Sequence, residues 1–312
     1  MAEGYALVKW FAKQKTTTAG LLGIETGPEG IALAHVLRQP NQAPQLLQCV
    51  FREATPDAQP ALLKSLVEEF GLAGMSVNLV LHPAEYQLLL LDCPDVPAEE
   101  LRDAIRWRVK DLRDEPIENL IVDAFKLPED AYRGRSQMAY CAVMLKAKMQ
   151  AFEQLITGAG LRLTSIDISE MAFRNLGFLM GAEGQNQALL RLRSSEGVIT
   201  VQNGTDLYMA RQVERGLESA EDDFSAVTLE IQRSLDYFES QLGKGYLNRL
   251  LLLPLKRDGE RAMQALTSSL AVKLQRLDLR EVFAGQPAAE LDEREQAYCV
   301  AAVGAALRQE TL

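Results

Sequence analysis

Residues 21–51, LLGIETGPEGIALAHVLRQPNQAPQLLQCVF, decide the fold class. Three short apolar segments are separated by stretches that contain Gly and Pro, and this pattern predicts three consecutive antiparallel strands. The segments are Leu21–Glu25, Ile31–Leu37 and Leu46–Phe51. An amphipathic helix at Pro60–Phe70, stopped by Gly71, and a strand at Val77–Leu81 follow them. The chain therefore opens with a unit of three strands, a helix and a fourth strand.

The stretch ALLRLRSSEGVITVQNGTDLYMAR, residues 188–211, begins the same order of elements again. Its strand-like segments are Ala188–Leu192, Val198–Val201 and Leu207–Arg211. Asn203-Gly204 predicts a two-residue hairpin turn, because both turn positions favour positive φ. The later segments are a long helix at Asp222–Leu242, a strand at Arg249–Leu253, a helix at Gly259–Leu270, a strand at Val272–Leu277 and a helix at Glu293–Leu307. Two successive units of this kind predict a duplicated α/β fold.

The first unit differs from the second by an insertion of residues 84–147, before a helix at Lys148–Gly158. The insertion has its own strand, helix, strand, strand pattern. The segments are Tyr86–Leu91, Ala98–Leu112, Leu120–Leu127 and Gln137–Leu145. Apolar residues recur in its helix at three- and four-residue spacing, from Leu101 to Leu112. We expect an N-terminal tail at 1–20, a first lobe at 21–183 that carries this subdomain, and a second lobe at 186–308.

The composition excludes several classes of function. The 312 residues carry a net charge of -10, whereas a nucleic-acid partner requires a concentrated basic surface. The longest apolar runs, Leu88–Leu91 and Leu250–Leu253, are far shorter than the roughly 20 residues that cross a bilayer. The four cysteines and two histidines lack the spacing of a zinc site or a dithiol motif, so we expect no metal.

The N-terminal segment leaves two alternatives open. Aromatic and aliphatic side chains are interleaved with lysines between Tyr5 and Lys15, as in a small helix that lies on an anionic membrane surface. A frayed tail is equally compatible with this composition. The segment lacks the apolar stretch and cleavage site of a secretory signal, so we expect a protein that stays in the cytoplasm.

Three stretches resemble a known family, the PilM-type actin-like proteins of type IV pilus assembly, and within it the MSHA biogenesis members. They are LLLLDCPDVPAEELRDAIRWRVKDLRDEPIENLIVDAF at 88–125, GAGLRLTSIDISEMAFRNL at 158–176 and LEIQRSLDYFESQ at 229–241. The resemblance covers roughly residues 20–310. It implies an actin-like, ribonuclease H-like duplicated fold of two lobes with an inserted subdomain in the first. It also implies ATP between the lobes and a PilN-like inner-membrane partner, whose short cytoplasmic N-terminal tail the protein holds.

The same resemblance places phosphate-binding turns at the hairpin that opens each lobe, and these turns have degenerated here. In the first, Gly27 remains, but Glu25 replaces an aspartate, while Pro28 and Glu29 replace serines. Proline removes an amide donor, and the second glutamate adds negative charge near the expected phosphate. In the second turn, Arg191, Arg193, Ser194 and Ser195 stand where the family has an aspartate and a glycine.

A third nucleotide element is also altered, because Pro254-Leu255-Lys256-Arg257 replaces the glycine pair that contacts adenosine. The candidate cofactor residues are therefore Glu25, Gly27, Arg191, Arg193, Ser194 and Ser195, in loops that no longer match the family. We expect no enzyme and no bound cofactor. Weak nucleotide binding without magnesium, through the two arginines, remains an alternative.

The leading functional hypothesis is a scaffold of an MSHA-type pilus machine at the inner face of the inner membrane. It would dock the PilN-like tail in a groove between the insertion and the first lobe, and it could also contact the assembly motor ATPase. Arg106, Trp107 and Val109 are the candidate contacts, although an aromatic residue on an amphipathic helix is more often core. The alternatives are an actin-like ATPase and a cytoplasmic platform protein of type II secretion. The latter family normally continues into a membrane helix, whereas this sequence ends at Leu312.

Overall fold

The protein is represented by a computed structural model that describes residues 20–39, 42–132, 134, 136–181, 184–220, 223–283 and 290–309. The predictions for the N-terminal tail therefore lie outside the described residues, apart from Gly20. The strands are β1 (Leu21–Gly27), β2 (Gly30–Leu37), β3 (Gln45–Glu53), β4 (Ser76–Leu81), β5 (Gln87–Asp92), β6 (Leu120–Lys126), β7 (Met138–Leu145), β8 (Arg162–Ile168), β9 (Asn186–Leu192), β10 (Gly197–Asn203), β11 (Asp206–Val213), β12 (Arg249–Leu252) and β13 (Leu274–Arg276). The helices are α1 (Gln59–Phe70), α2 (Leu101–Lys110), α3 (Lys146–Gly158), α4 (Ser169–Met180), α5 (Ser225–Tyr237), α6 (Gly259–Ser269), α7 (Leu279–Val282) and α8 (Glu293–Ala306).

Two five-stranded sheets share one topology. Their strand orders are β3-β2-β1-β4-β8 and β11-β10-β9-β12-β13. In the first sheet β1, β2 and β3 are antiparallel, and β4 pairs in parallel with both β1 and β8. In the second sheet β9, β10 and β11 are antiparallel, and β12 pairs in parallel with both β9 and β13. The duplication predicted from element order is therefore confirmed. The residue limits of the two lobes stay a prediction.

The insertion forms the third sheet, with the order β5-β7-β6. Helix α2 covers one face and buries Leu101, Ile105 and Val109 against it. The helix is shorter than predicted, because it begins at Leu101 and ends at Lys110 rather than at Leu112. Leu112, which lies beyond the last turn, is exposed. The apolar spacing thus predicted the buried face of α2 correctly, except that Leu112 does not belong to it.

The hairpin between β10 and β11 differs by one residue from the prediction. Asn203 still pairs with Asp206, so the turn is made by Gly204 and Thr205. Gly204 has φ 57°, a conformation that glycine adopts at little cost. At the other end of the second lobe, Asp292 and Glu295 form a capping box that starts α8.

Helices α4 and α8 lie between the two large sheets and join them through one apolar core. This core contains side chains from both sheets, such as Ala32 and Leu251, together with most of the inner face of α8. The two helices approach their neighbours closely: a Cβ at Gly23 would overlap the carbonyl oxygen of Ala302, and one at Gly304 would overlap that of Ala172. The lobes are therefore packed through shared helices.

No helix in the described part of the chain is both long and apolar enough to cross a membrane.

Candidate functional site

The two turns that the resemblance marked as phosphate-binding meet at one cavity between the lobes. Glu25 and Gly27 at the end of β1 line it from the first lobe, and Arg191 and residues 193–196 line it from the second. The cavity measures about 190 Å³, which is below the roughly 300–1,000 Å³ of usual ligand pockets. All six candidate cofactor residues line this cavity, so the structure brings them together. Whether they bind a cofactor stays a prediction.

Arg191 is used by the chain itself. Its side chain is only 3% exposed, and its guanidinium donates to the carbonyl oxygens of Pro254 and Ala297. Burial, and then the charge of Arg193, lowers the pKa of Arg191 to about 9, so it remains protonated at neutral pH. The two terminal nitrogens of the guanidinium therefore bind two backbone segments of the second half.

Arg193 pairs with Glu25 across the cleft, and this contact joins the second lobe to the first. The nitrogen to oxygen distance is 2.9 Å, and the two side chains are 16% and 10% exposed. A second ion pair crosses the cleft between Lys256, in the loop after β12, and Glu29, in the turn between β1 and β2. Each cation that could attract a phosphate at these two positions thus faces a carboxylate already.

The cavity also contains residues that the sequence did not single out as a site. His82, at the end of β4, lines it and accepts a hydrogen bond at Nδ1 from the amide of Ala84. Burial, and then the charge of Arg193, lowers the pKa of this imidazole. Phe51 and Tyr298 stack at 3.8 Å between ring centroids, and Lys256 lies 4.2 Å above the Tyr298 ring. Only Lys256 belonged to a segment that the resemblance marked.

The cavity is a poor fit for magnesium-bound triphosphate. Its lining balances three cations, Arg191, Arg193 and Lys256, with three carboxylates, Glu25, Glu29 and Glu196. A triphosphate needs a net positive environment and several free amide donors, whereas the turn of the first lobe contains Pro28. Among the described residues no group of three or more His, Cys, Asp or Glu side chains could hold a metal ion.

The three candidate partner contacts on α2 lie in different surroundings. Trp107 is 69% exposed, with Lys110 5.4 Å from its ring. Arg106 is half-buried and donates to the carbonyl oxygen of Ile117 at 2.8 Å. Val109 is 0% exposed in the core of the insertion, so its assignment to a docking surface was wrong. Its spacing from Leu101 and Ile105 was a signal that it belonged to the core.

A groove of about 270 Å³ lies where the insertion meets the first lobe. Its apolar wall comes from Leu120 and from residues 143–145, and Arg113 and Lys148 lie at its polar side. Lys148 pairs with Glu85 at 2.5 Å. Trp107 is not among the residues that line it. The sequence predicted a groove at this boundary, but it did not predict which residues line it.

Tyr86 lines this groove and is held by hydrogen bonds to α4. Its hydroxyl hydrogen bonds to the carboxylate of Glu170 and, at 2.9 Å, to the hydroxyl of Ser169 at the start of α4. Burial raises the pKa of both Tyr86 and Glu170. The start of the insertion is therefore tied to a helix that lies in the core between the lobes.

Comparison with known proteins finds no matching family model and no matching curated protein. Among solved structures, a chain of a PilM-PilN type IV pilus biogenesis complex matches with a TM-score of 0.70 and 21% identity, over 93% of this chain and 98% of that one. A Bacteroides thetaiotaomicron protein with an actin-like ATPase fold and unknown function matches with a TM-score of 0.53 and 13% identity, over 84% and 92%. At such identities the likeness concerns the fold, and it confirms the fold that the sequence predicted. The chain has a duplicated, two-lobed actin-like fold with an inserted subdomain in its first lobe.

Proposed function

We propose that the chain is a cytoplasmic scaffold of type IV pilus biogenesis, at the inner face of the inner membrane, and that it docks the cytoplasmic tail of a PilN-like protein. The observation that carries the proposal is the likeness to a chain of the PilM-PilN complex, which extends over 93% of this chain at a TM-score of 0.70. The three stretches that resemble the PilM family in sequence support it independently. The MSHA pilus is the system that those stretches favour, and the assembly motor is a further partner under the same proposal.

The groove between the insertion and the first lobe is the docking site that we propose. An extended peptide needs an apolar wall for its side chains and polar groups at the edge for its backbone or charges. Leu145 is an exposed apolar residue on that wall, and Arg113 is a cationic residue of the same lining. Trp107 lies outside the groove, so it would contribute to docking only if the peptide bound elsewhere.

Binding of a synthetic peptide with the sequence of the PilN-like tail, followed by fluorescence anisotropy on the full chain, tests the docking site. We expect micromolar affinity and at least a tenfold loss, about 1.4 kcal/mol, for Leu145→Glu, because a charge would be placed on the apolar wall. Trp107→Ala is the matched control and should bind as wild type. Equal affinity for Leu145→Glu and wild type, or a loss confined to Trp107→Ala, would place the peptide elsewhere.

We further propose that the protein is not an enzyme and that its nucleotide site is degenerate. The support is the pairing of Arg193 with Glu25, the pairing of Lys256 with Glu29 and the use of Arg191 by backbone carbonyls. Phosphate binding would have to break these contacts and leave carboxylates unpaired beside an anion. This opposes binding, since like charges in a partly buried site repel strongly.

Isothermal titration calorimetry with ATP, with and without magnesium, tests the degenerate site. We expect no saturable heat up to millimolar nucleotide in either condition, for the reason just given. Saturable binding that requires magnesium would favour the actin-like ATPase instead. Saturable binding only without magnesium would indicate an anion site built on the arginines.

A further inference from the structure

In both ion pairs at the cavity the first lobe supplies the carboxylate and the second lobe supplies the cation. Both carboxylates, Glu25 and Glu29, lie on the β1–β2 hairpin of the first lobe. Both cations belong to the second lobe, with Arg193 directly after β9 and Lys256 in the loop after β12. The hairpin that opens the first lobe is thus held from two separate loops of the second lobe.

The two ion pairs differ in burial and therefore in strength. Glu25 and Arg193 are shielded from water, with side chains 10% and 16% exposed, so their attraction is only weakly screened. The pair of Glu29 and Lys256 is more exposed and contributes less. The first pair is therefore the stronger bond across the cleft, and the second supports it.

Lys256, the cation of the second pair, is also positioned by contacts other than that with Glu29. Arg191 binds the carbonyl oxygen of Pro254, two residues before Lys256, and also that of Ala297 on α8. Tyr298 lies beneath the Lys256 ammonium, and its ring is stacked on Phe51. These contacts restrict the loop after β12, so the pair forms with little loss of conformational entropy.

We propose that the two ion pairs, Glu25–Arg193 and Glu29–Lys256, form an intramolecular latch that keeps the lobes in one closed arrangement without any ligand. The proposal goes beyond the scaffold function, because it concerns the relative position of the lobes whether or not the chain serves a pilus. Loss of the latch opens the cleft without separating the lobes, because the core around α4 and α8 joins both sheets.

A hydrogen-bonded contact between the insertion and the second lobe lies outside the cleft and serves as a reference for the latch. The hydroxyl of Tyr140 in the insertion accepts a hydrogen bond from the amide of Ala210 at 2.7 Å and donates to the carbonyl oxygen of the same residue at 3.2 Å. Ala210 lies on β11, the edge strand of the second sheet. Amides there should keep their protection when the latch is broken, and they provide an internal reference.

Hydrogen–deuterium exchange of the full chain, without nucleotide or peptide, tests the latch. The reporters are the amide of Arg193, bonded to the carbonyl oxygen of Glu196, and the amide of Ala54, bonded to that of Glu29. In Glu25→Gln we expect these amides to exchange at least tenfold faster, with exchange in β11 unchanged. Lys256→Gln should act in the same direction with a smaller change, and it serves if Glu25→Gln does not fold.

Two further variants distinguish the effect of breaking the latch from the effect of removing any charged residue. Glu85→Gln removes one partner of the Glu85–Lys148 pair within the first half of the chain and should leave the reporter amides unaffected. The exchanged pair Glu25→Arg with Arg193→Glu should return exchange towards the wild-type rate. Wild-type rates in both Glu25→Gln and Lys256→Gln, or equal acceleration in Glu85→Gln, would overturn the proposal. Because no nucleotide or peptide is present, this result is independent of the calorimetric and peptide tests.

Discussion

Gly23→Ala is expected to lower the free energy of unfolding by at least about 3 kcal/mol, at or above the upper range for overpacking. A Cβ at this position would overlap the carbonyl oxygen of Ala302 and lie 2.6 Å from the backbone nitrogen of Ala306. Both atoms belong to the backbone of α8, which cannot move aside as a flexible side chain can. At about 2–4 °C per kcal/mol for a chain of this size, the midpoint of thermal unfolding should fall by roughly 6–12 °C or more.

Urea unfolding followed by circular dichroism measures this change. Gly158→Ala, in the last turn of α3, is the matched control, since its Cβ would meet no atom within 4 Å. There we expect no loss, or a small gain from the better helix propensity of alanine. A Gly23→Ala protein within about 0.5 kcal/mol of wild type would show that α8 does not press on β1 as described.

Arg191→Ala is expected to cost about 2–4 kcal/mol of stability, because it leaves buried carbonyl groups without their charged donor and creates a cavity. Arg191→Lys should recover part of the loss, since an ammonium reaches one carbonyl but lacks the fork that binds those of both Pro254 and Ala297. Arg233→Ala, at an exposed position on α5, is the control and should change stability by less than about 0.5 kcal/mol.

The pH dependence of the Arg191→Ala difference follows from the lowered pKa. Burial lowers the pKa of Arg191 to about 9 in the folded protein, while in the unfolded chain its pKa keeps the much higher value usual for arginine. Between these values the unfolded state binds more protons, so the contribution of this group to stability rises with pH there. Below about pH 9 it is protonated in both states. The difference between Arg191→Ala and wild type should therefore be constant from pH 6 to 8 in urea titrations, and a change of more than about 1 kcal/mol across that range would contradict the assignment.

Much of the fold could be predicted from the sequence because the signals were local. The strands β1 to β3 and β9 to β11 are short apolar segments bounded by turn residues, and the insertion has a helix with a regular apolar face. The ends of elements were predicted less accurately where a turn or a helix end depends on a single residue, as at Gly204 and Leu112. No local pattern predicts that α4 and α8 share one core between the two sheets.

The site could be located from the sequence, but its contacts could not be predicted. The resemblance placed Glu25 and Arg193 in separate turns, and nothing in either turn indicates that they pair at 2.9 Å. The sequence alone gives Arg191 and Arg193 the same role, as the two arginines of an alternative phosphate site. They differ in the structure because Arg191 lies within β9 and is buried, whereas Arg193 follows the end of the strand and faces Glu25. Such pairings depend on the relative position of the lobes.

The packing of α8 against the first sheet has a consequence for the order of folding. The side chain of Arg38, just after β2, donates to the carbonyl oxygen of Leu307, which is 269 residues away in the chain. The first sheet is complete when β8 ends at Ile168, and α8 ends 138 residues later, at Ala306. During synthesis at about 5–20 residues per second, this sheet must wait roughly 7–28 s for the helix that covers it. Its apolar face is exposed during this interval, and contacts of such large sequence separation form slowly. Nascent chains stalled before residue 293 should therefore depend on chaperones more than the released protein does.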